Sequence, residues 1–465
     1  MSDVATAPGA SVAIIGGGYV GLCTGAVFAK QGHRVRIVDV LPEKVAAIRR
    51  GEAPFHEPGL EDALREVVAS GRLTATTDLE AAVRESDFTF LCVGTPQGKD
   101  GQSDLTYLRQ ASAAVGRALR GRRGFHVVVT KSTVPPRTAE DVVRPELEAA
   151  SGLAMGDDTF QVASNPEFLK EGTAMKDACQ PDRIVVGAFS AKAGEAVLSL
   201  YDAFDCPKIL VDPRTSEMIK YAANAFLALK IGFSNEMANV SERLGIDWYD
   251  VANGIGHDPR IGPLFLRAGA GFGGSCFPKD VAAIAHVART SGAPSRLLQA
   301  VLDGNEEQPL VTVKMLREEL GELAGKRIAL LGLAFKPDTD DVRETRAVPI
   351  LRALQAAGAT VVAHDPAARR TFQALGVPVE MAESAEDALR EADGCIVQTE
   401  WADYRRLAPA QFLRLMRAPV VVDGRRTFDP ATMLAAGVRY RAIGLGRERA
   451  AAPSPDATRP ARASA

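Results

Sequence analysis

The chain has 465 residues, which is too long for one ordinary hydrophobic core, so we expect two or three domains. Its composition is that of a globular protein, 46% hydrophobic and 24% charged, and the net charge of −3 excludes a bulk basic surface for nucleic acid or an anionic membrane. The six cysteines are scattered without a C-x-x-C pair, which argues against a disulfide framework or a structural zinc site and favours the reducing cytoplasm.

The first elements predicted along the chain are a strand, a glycine-rich turn and a helix. Residues Ser11–Ile15 read as the strand, Gly16–Gly21 as the turn and Leu22–Gln31 as the helix. The apolar residues 12–29 are long enough to consider as a membrane span, but the glycines and the alternating run that follows favour the strand–turn–helix. No charged segment followed by an apolar core precedes them, so we expect no signal peptide.

Further apolar runs predict a mostly parallel sheet in the first half. The next strands are Arg34–Val38, Phe88–Val93 and His126–Thr130, and helix-like segments alternate with them. From Ser216 to about Leu244 there is no proline and only one glycine, which predicts one long helix that connects domains and contacts a second copy.

A second alternating section begins near Gly325. Its predicted elements are the strand Lys326–Leu331, the helix Ala347–Ala357 and the strands Thr360–His364, Gly394–Gln398 and Pro419–Asp423. The predicted fold class is therefore α/β, with two Rossmann-like doubly wound domains joined by a long central helix.

The glycine-rich turn carries a dinucleotide-binding pattern. Gly16, Gly18 and Gly21 fit G-x-G-x-x-G between a strand and a helix, and Asp39 ends the second strand 18 residues beyond Gly21. Asp39 would accept hydrogen bonds from ribose hydroxyls and repel a 2′-phosphate, which favours NAD over NADP. The alternative is a glycine-rich turn that binds nothing. Lys44 is either a further ribose contact or a solvated helix charge.

A cysteine stands at a predicted helix start in the segment Gly271–Asp280. Pro278 suits the first helical turn, and Asp280 lies four residues after Cys276, on the same helix face. A thiol at a helix N-terminus is favoured as the thiolate, and the preceding glycines would let a substrate approach closely. The alternative is that Cys276 is a small buried hydrophobic residue.

Taken together, the motifs resemble the UDP-glucose/GDP-mannose dehydrogenase family over roughly residues 10–445. The strings that carry the resemblance are long and in the family's order. They are Gly16–Gly21, Val93–Pro96, Lys131–Pro135, Asn165–Gly172, Lys220 with Asn224, Gly271–Asp280, Phe335–Arg343 and Asp423–Arg425.

The resemblance implies domains, a cofactor and an assembly. The expected domains are an NAD-binding Rossmann domain at 1–213, a central helical dimerisation region with the cysteine loop at 214–318, and a Rossmann-like domain for the UDP sugar at 319–446. Residues 447–465 are rich in Ala, Pro, Ser and Arg without periodicity, and we predict them to be disordered. The implied cofactor is NAD, the implied substrate is UDP-glucose, and the implied assembly is a homodimer without nucleic acid or membrane partners.

The family reaction oxidises a sugar C6 alcohol to a carboxylate with two NAD⁺ and one water. The resemblance implies that Cys276 holds the aldehyde as a thiohemiacetal and then as a thioester. It assigns Lys220, with Asp280, to a water relay and the developing alkoxide, and Asn224 to the oxyanion. Glu167 and Thr133 match the positions that serve the hydrolysis. From the residues alone, Lys220 would be an exposed helix lysine and Thr133 a helix cap.

Binding residues follow from the same resemblance. The expected cofactor contacts are Gly16, Gly18, Tyr19, Val20, Gly21, Asp39, Lys44, Gly94, Thr95, Thr133, Glu171, Lys279 and Arg343. The expected substrate contacts are Glu167, Phe168, Leu169, Lys170, Lys220, Asn224, Arg260, Phe265, Arg267, Phe272, Gly273, Cys276, Phe335, Lys336 and Arg425, with Arg260 reaching the site of the neighbouring subunit. No metal ligands are expected.

Three functions remain open at this point. The string Phe168–Ala174 favours UDP-glucose as the substrate, and the alternatives are GDP-mannose or another UDP-hexose. A different class, a non-catalytic sensor of NAD or a nucleotide sugar, would use the same two Rossmann-like domains. A sensor would be expected to have lost some reacting groups, and this chain keeps all six.

Overall fold

The computed structural model describes residues 9–122 and 124–446. The predicted disordered tail, 447–465, lies outside the described residues. The described chain divides into two compact units: the first runs to residue 223 and includes 283–294, and the second comprises 224–282 and the residues from 295 onward. The three domain boundaries expected from the sequence stay a prediction.

The first unit is built on an eight-stranded sheet. Its strands are β1 (Ser11–Ile15), β2 (Arg34–Val38), β3 (Leu73–Thr76), β4 (Phe88–Leu91), β5 (Val127–Thr130), β6 (Gln161–Ser164), β7 (Ile184–Ala188) and β8 (Lys208–Val211). They lie in the order β3-β2-β1-β4-β5-β6-β7-β8, and all neighbours are parallel except β6 and β7. The strand order reverses between β1 and β4, and such a switch point is where open α/β sheets bind ligands.

Helices cover this sheet. They are α1 (Tyr19–Lys30), α2 (Pro42–Arg49), α3 (Leu60–Ala69), α4 (Leu79–Arg84), α5 (Thr106–Ala118), α6 (Arg144–Ser151), α7 (Ala174–Cys179) and α8 (Ala191–Ser199). Two tighter segments are a 3-10 turn at Lys99–Gly101 and a π-helical turn at Ala139–Val143. Strands β4, β5 and β6 are buried at every residue, because helices pack on both faces of a parallel sheet.

The second unit contains a six-stranded, wholly parallel sheet in the order β11-β10-β9-β12-β13-β14. Its strands are β9 (Arg327–Leu331), β10 (Thr360–His364), β11 (Glu380–Met381), β12 (Gly394–Val397), β13 (Val420–Asp423) and β14 (Arg439–Ala442). The helices are α10 (Trp248–Gly256), α11 (Phe277–Thr290), α12 (Arg296–Leu320), α13 (Ala347–Ala356), α14 (Arg369–Gln373), α15 (Ala385–Leu389), α16 (Ala402–Arg405), α17 (Pro409–Leu415) and α18 (Pro430–Ala435), where α11 continues into the first unit.

The predicted long helix is α9, which spans Pro213–Arg243 and passes from the first unit into the second. The helix begins three residues before its predicted start at Ser216. The predicted strands agree with the structure to within two residues at each end. Among the described residues, none of the helices combines the length and apolar character that crossing a bilayer requires.

One predicted element needs correction. The first helix begins at Tyr19, not at Leu22, so Gly21 lies inside its first turn. Gly18 adopts an extended conformation at the N-cap, and the chain is helical from the next residue. The reason is steric: because Gly21 has no Cβ, the first turn can lie against the Gly16 carbonyl.

Candidate functional site

The glycine turn at the end of β1 has the shape of a dinucleotide cradle. Gly16 has a φ of +111°, and a Cβ there would lie 2.5 Å from the Cys92 carbonyl oxygen. A Cβ at Gly21 would overlap the Gly16 carbonyl. At Gly18, by contrast, nothing lies within 4 Å of a Cβ position apart from its chain neighbours. Two glycines are thus required by the fold, and the third leaves open space at the α1 N-terminus, where a pyrophosphate is stabilised.

Asp39 lies at the carboxyl end of the neighbouring strand β2, beside this turn. Its Oδ2 accepts hydrogen bonds from Gly17 N at 2.9 Å and Lys44 Nζ at 3.0 Å, and its Oδ1 accepts one from Leu41 N at 3.1 Å. Burial opposes ionisation, but these hydrogen bonds outweigh it and hold the pKa of Asp39 below its usual range. Lys44 therefore pairs with the predicted ribose acceptor and is not merely a solvated helix charge.

The loops after β4 and β5 are joined by hydrogen bonds from hydroxyl groups. Thr95 Oγ1 donates to Thr133 O at 2.8 Å, and Ser132 Oγ donates to Val93 O at 2.6 Å. Both loops stand at the carboxyl edge that also carries the glycine turn. The predicted cofactor residues Gly94, Thr95 and Thr133 thus share one edge of the sheet.

A buried ion pair lies beyond the next strand, β6. Glu167 Oε1 is 3.1 Å from Lys220 Nζ, and the two side chains are 8% and 4% exposed. Glu167 Oε2 accepts a hydrogen bond from Leu169 N at 2.6 Å. Burial would raise the pKa of Glu167, but the positive charge of Lys220 and this hydrogen bond keep it below its usual value. Lys220 is therefore not the exposed helix lysine that sequence reasoning alone favoured.

Sequence reasoning gave no role to Lys131, which is buried close to this pair. Its ammonium donates to Asn165 Oδ1 at 2.9 Å and to Tyr201 OH at 3.3 Å. Tyr201 OH also donates to Asn165 Oδ1, at 2.5 Å, and Asn165 Nδ2 donates to Val185 O. Burial lowers the pKa of Lys131 to about 8. One feature of the sequence could have drawn attention to Lys131: it directly follows the apolar strand His126–Thr130 and begins the motif Lys131–Pro135.

The loop after Glu167 is anchored by a residue that the sequence analysis missed. Buried Glu57 accepts hydrogen bonds from Gly172 N and Ala174 N, both at 2.7 Å. Lys170 is exposed and pairs with Asp177, at 3.4 Å. Leu169 packs against the core of the sheet. Because the side chains of Leu169 and Lys170 already have these contacts, the backbone of the loop is better placed than they are to bind a ligand.

In the second unit, Cys276 directly precedes α11, as predicted. Its carbonyl oxygen accepts the first helical hydrogen bond, from Asp280 N at 2.8 Å, and its Sγ is 3.6 Å from Ser275 Oγ. Asp280 is almost fully buried and binds two donors, Asn224 Nδ2 and Lys279 Nζ, each at 2.6 Å. The unit thus brings together Asn224, Asp280 and the segment that carries the thiol.

The glycines before Cys276 are required by the packing of the second unit itself. A Cβ at Gly273 would overlap the Glu344 carbonyl, and one at Gly274, whose φ is +82°, would lie 2.7 Å from the Phe335 ring. These two glycines allow the close approach of another loop of the same unit, and the predicted approach of a substrate stays a prediction. Asn305 fixes the same segment through bonds to Phe272 N and Phe272 O, at 2.7 and 3.0 Å.

Several basic residues that were predicted to contact the substrate, and Arg343, which was predicted to contact the cofactor, already have partners within the second unit. Arg425 donates to Gly271 O and Gln398 O, both at 2.9 Å, and burial lowers its pKa. Arg343 binds Asp341, and Lys336 Nζ lies 5.5 Å from the Phe335 ring centroid. Arg267 interacts with Tyr249. Arg260 is held by Asp258 at 2.6 Å, with its own side chain 87% exposed.

The second sheet differs from the first at the position that corresponds to Asp39. Asp365 follows β10 as Asp39 follows β2, but its Oδ2 accepts from Leu333 N, Ala334 N and Trp401 Nε1, while Oδ1 accepts from two more backbone amides. Five donors saturate this carboxylate. The two Rossmann-like sheets are therefore chemically distinct at the ribose position.

The comparisons with known proteins agree with this organisation. The model for the UDP-glucose/GDP-mannose dehydrogenase family matches in three parts: the NAD binding domain at residues 10–205, the central domain at 214–307 and the UDP binding domain at 329–430. Together these matches cover most of the chain.

Individual relatives point the same way. The chain is 42% identical to the UDP-glucose 6-dehydrogenase TuaD of Bacillus subtilis, over 95% of each chain. It is 46% identical to the UDP-glucose 6-dehydrogenase AglM of Haloferax volcanii, over 89% of this chain and 96% of the relative. A UDP-glucose dehydrogenase structure from Pyrobaculum islandicum has a TM-score of 0.88 at 43% identity, covering 94% of this chain and 98% of that one. The predicted fold class is confirmed.

Proposed function

The chain belongs to the UDP-glucose/GDP-mannose dehydrogenase family, and we propose that it oxidises UDP-glucose at C6 to UDP-glucuronate. The balanced reaction is UDP-glucose + 2 NAD⁺ + H₂O → UDP-glucuronate + 2 NADH + 3 H⁺, with the product written as the carboxylate. The observation that carries the choice of substrate is the similarity, at 42% and 46% identity over nearly full length, to enzymes named for UDP-glucose.

NAD is the cofactor, and we assign its pyrophosphate and adenosine ribose to the first unit. The open space at Gly18 and the α1 N-terminus would take the pyrophosphate, and Asp39 with Lys44 would hold the adenosine ribose. When bound, NAD⁺ supplies the hydride acceptor for both oxidations. The further contacts that we assign to it are Tyr19, Val20, Gly94, Thr95, Thr133, Glu171, Lys279 and Arg343.

For the first oxidation, we assign the alcohol proton to a water relay at Lys220 and Asp280. These groups are buried, so their charges act on a reacting oxygen with little screening. Asn224 lies one turn after Lys220 on α9 and is oriented by its 2.6 Å hydrogen bond to Asp280. Fixed donors of this kind stabilise a developing alkoxide without reorganising.

Cys276 is the proposed nucleophile that retains the aldehyde. Its thiolate would form a bond to C6 and give a thiohemiacetal, and loss of a second hydride and a proton would convert this to a thioester. The helix that begins at the next residue, Phe277, favours negative charge on the sulfur. No free aldehyde then leaves the enzyme.

Glu167 and Thr133 are assigned to the hydrolysis. An ionised carboxylate is required to take a proton from water as the water oxygen bonds to the thioester carbon and the C–S bond breaks. The charge of Lys220 keeps the pKa of Glu167 low, so Glu167 is ionised at neutral pH.

We assign the substrate contacts to the backbone of Phe168–Glu171, to the segment Phe265–Gly273, and to Phe335, Lys336 and Arg425. Phe265 has a φ of +64°, in the left-handed region that residues other than glycine rarely adopt. Because Arg425 is already bonded to its own loop, it would support the shape of the site as well as contact the diphosphate.

We further propose that the protein is a homodimer in the cytoplasm. Phe226, Phe233 and Val240 repeat every seven residues on α9 and are 61%, 46% and 46% exposed, which forms an apolar stripe on one side of the helix. A second copy of α9 is its natural partner, and exposed Arg260 would reach the neighbouring site. None of the six cysteines, all of which lie among the described residues, forms a disulfide, which fits a reducing compartment.

The stoichiometry of NADH tests the function. Purified protein is expected to produce two NADH per UDP-glucose consumed, and a value of one, or an aldehyde as the final product, would contradict the mechanism. GDP-mannose measured side by side addresses the alternative substrate. Binding of NAD and UDP-glucose without turnover would instead favour the sensor.

A further inference from the structure

A cavity of about 330 Å³ lies within the first unit, behind the Glu167 loop. Buried side chains line its inner part, among them Lys131, Asn165, Glu167 and Tyr201. Exposed side chains line its outer part: Lys170, Lys176, Gln180 and Asp182. The cavity therefore runs from the buried carboxylate toward solvent.

Its size and lining suit water. At about 30 Å³ per molecule, the cavity has room for roughly ten waters. The inner wall presents an ammonium, a carboxylate, an amide and a phenol, so water molecules there would find the several polar partners that they need. An apolar cavity of this size would stay dry, but this one is polar.

Lys131 is the unusual group in the wall. Its hydrogen bonds go to Asn165 and Tyr201, which are neutral, so its charge is not needed to make them. The nearby anion is Glu167, which feels the charges of both Lys220 and Lys131. A cation buried at this cost without a direct ion pair points to an electrostatic role toward that carboxylate.

The proposed reaction requires such a route, and this inference rests on that proposal. Hydrolysis consumes one water, which forms the new C–O bond as the C–S bond breaks, and one complete turnover releases three protons. Glu167 takes a proton from that water and must lose it before the next turnover. A buried carboxylate can do this only if water reaches it.

We propose that this cavity is the path by which water reaches Glu167 and protons leave it, and that Lys131 is a positioning residue that keeps the Glu167 carboxylate ionised at its inner end. The charged and titratable groups that face Glu167 are Lys220 on α9, Lys131 after β5, Cys92 after β4 and Cys23 on α1. Burial raises the pKa of both thiols, to about 12 for Cys92, so they remain neutral. Of these four groups, the two lysines therefore carry the charge that acts on Glu167.

Two variants separate the two parts of the proposal. Lys131→Met removes the charge while leaving a chain of similar length, so the pKa of Glu167 should rise. A rise of one unit lowers the ionised fraction about tenfold on the acid side, which shifts the acid limb of the hydrolysis step to higher pH. Ala178→Leu fills the cavity from its wall and should slow hydrolysis at every pH without moving that limb.

The experiment follows NADH, UDP-glucuronate and the intact mass of the enzyme after mixing with UDP-glucose and NAD⁺. Both variants should release NADH rapidly and accumulate a covalent adduct while UDP-glucuronate appears slowly. Ala191→Leu, at an exposed position on α8 outside the cavity, is the matched control and should behave as wild type.

The outcomes are distinguishable. If wild type does not convert UDP-glucose, the proposed function fails. If wild type does, and both variants hydrolyse the adduct at the wild-type rate with an unshifted acid limb, the inference is overturned. If Lys131→Met fails to fold, the rate of adduct hydrolysis in Ala178→Leu tests whether water reaches Glu167 through the cavity. The same rate in Tyr201→Phe tests the contribution of the inner wall. A purely structural role would lower the melting temperature without accumulating adduct.

Discussion

Lys220 Nζ lies 3.1 Å from Glu167 Oε1, and both side chains are almost fully removed from solvent. The helix that carries Lys220 begins more than forty residues after the loop that carries Glu167, so only the fold makes them partners. A buried ion pair need not stabilise the folded state, because removing both charges from water can cost as much as their attraction gains. Removing one partner, however, leaves the other as an uncompensated buried charge and is strongly destabilising.

The first prediction concerns this ion pair. Glu167→Gln leaves Lys220 as a buried cation without its carboxylate, and should cost about 3 kcal/mol or more. The urea midpoint of the first unit measures the loss. Combining it with Lys220→Met should recover much of that stability, although not activity. Glu52→Gln, in the exposed pair Arg50–Glu52, is the control and should leave the midpoint unchanged.

The second prediction uses two glycines of the same turn. Gly21→Ala would place a Cβ against the Gly16 carbonyl and should lower the melting temperature. Gly18→Ala meets no such obstacle and should melt like wild type while binding NAD⁺ at least tenfold more weakly. Calorimetry gives both quantities. Equal NAD⁺ affinity in Gly18→Ala and wild type would exclude this turn as the pyrophosphate cradle.

The third prediction concerns the pH dependence of stability at Lys131. Burial lowers the pKa of Lys131 from 10.5 to about 8, so between these values the unfolded chain holds a proton that the folded chain has lost. The free energy of unfolding therefore rises with pH across this window, by about 1.4 kcal/mol per pH unit at most. Lys131→Met should stabilise the protein relative to wild type most below pH 8, and this advantage should shrink toward pH 10.5.

The hydrogen bonds of Lys131 with Asn165 and Tyr201 reduce the net gain by about 1 kcal/mol each. The trend with pH is consequently the sharper test. Lys314→Met, at an exposed position on α12, is the control. A pH-independent difference between wild type and Lys131→Met would contradict the lowered pKa.

The fourth prediction concerns the nucleophile. Cys276→Ser should reduce steady-state turnover by at least about a thousandfold, because a serine hydroxyl remains protonated where a thiol at a helix start ionises. Cys179→Ser, at an exposed cysteine of the first unit, should retain wild-type activity. Labelling wild type with iodoacetamide, with and without UDP-glucose, should show substrate protection at Cys276. Undiminished turnover of Cys276→Ser would remove this residue from its role.

The fifth prediction concerns the apolar stripe of α9. Phe226→Glu introduces a charge at a side chain that is 61% exposed, and should convert the dimer to a monomer in light scattering. If Arg260 acts in the neighbouring site, activity should fall with dissociation. Leu413→Glu, at an apolar residue of α17 that is 41% exposed, should change neither quantity. A wild type that is monomeric at all concentrations would refute the dimer.

Local pattern made much of the fold predictable. Apolar runs and alternating apolar residues predict the ends of β1, β9 and β10 to within one residue. They can do so because the residues that face the core are apolar, and in a strand they recur at a fixed period. The first helix begins at Tyr19, three residues before the predicted start at Leu22, because the glycine pattern predicts a turn through Gly21. Gly21 is instead a helical residue, and the absence of a side chain lets it pack against the carbonyl of Gly16, five residues earlier.

Consecutive residues and fixed spacings are enough to predict the family, the two alternating sections, the long helix and the glycine turn with its acidic partner. Hydrogen-bond partners, by contrast, come from the tertiary fold: Asp39 accepts three hydrogen bonds, whereas Asp365 accepts five and is saturated. The fold alone joined Glu57 to the loop beyond Glu167 and buried Lys131 beside it. The physical reason is that burial and hydrogen-bond partners depend on which distant segments the sheet brings together, and local spacing carries no record of that.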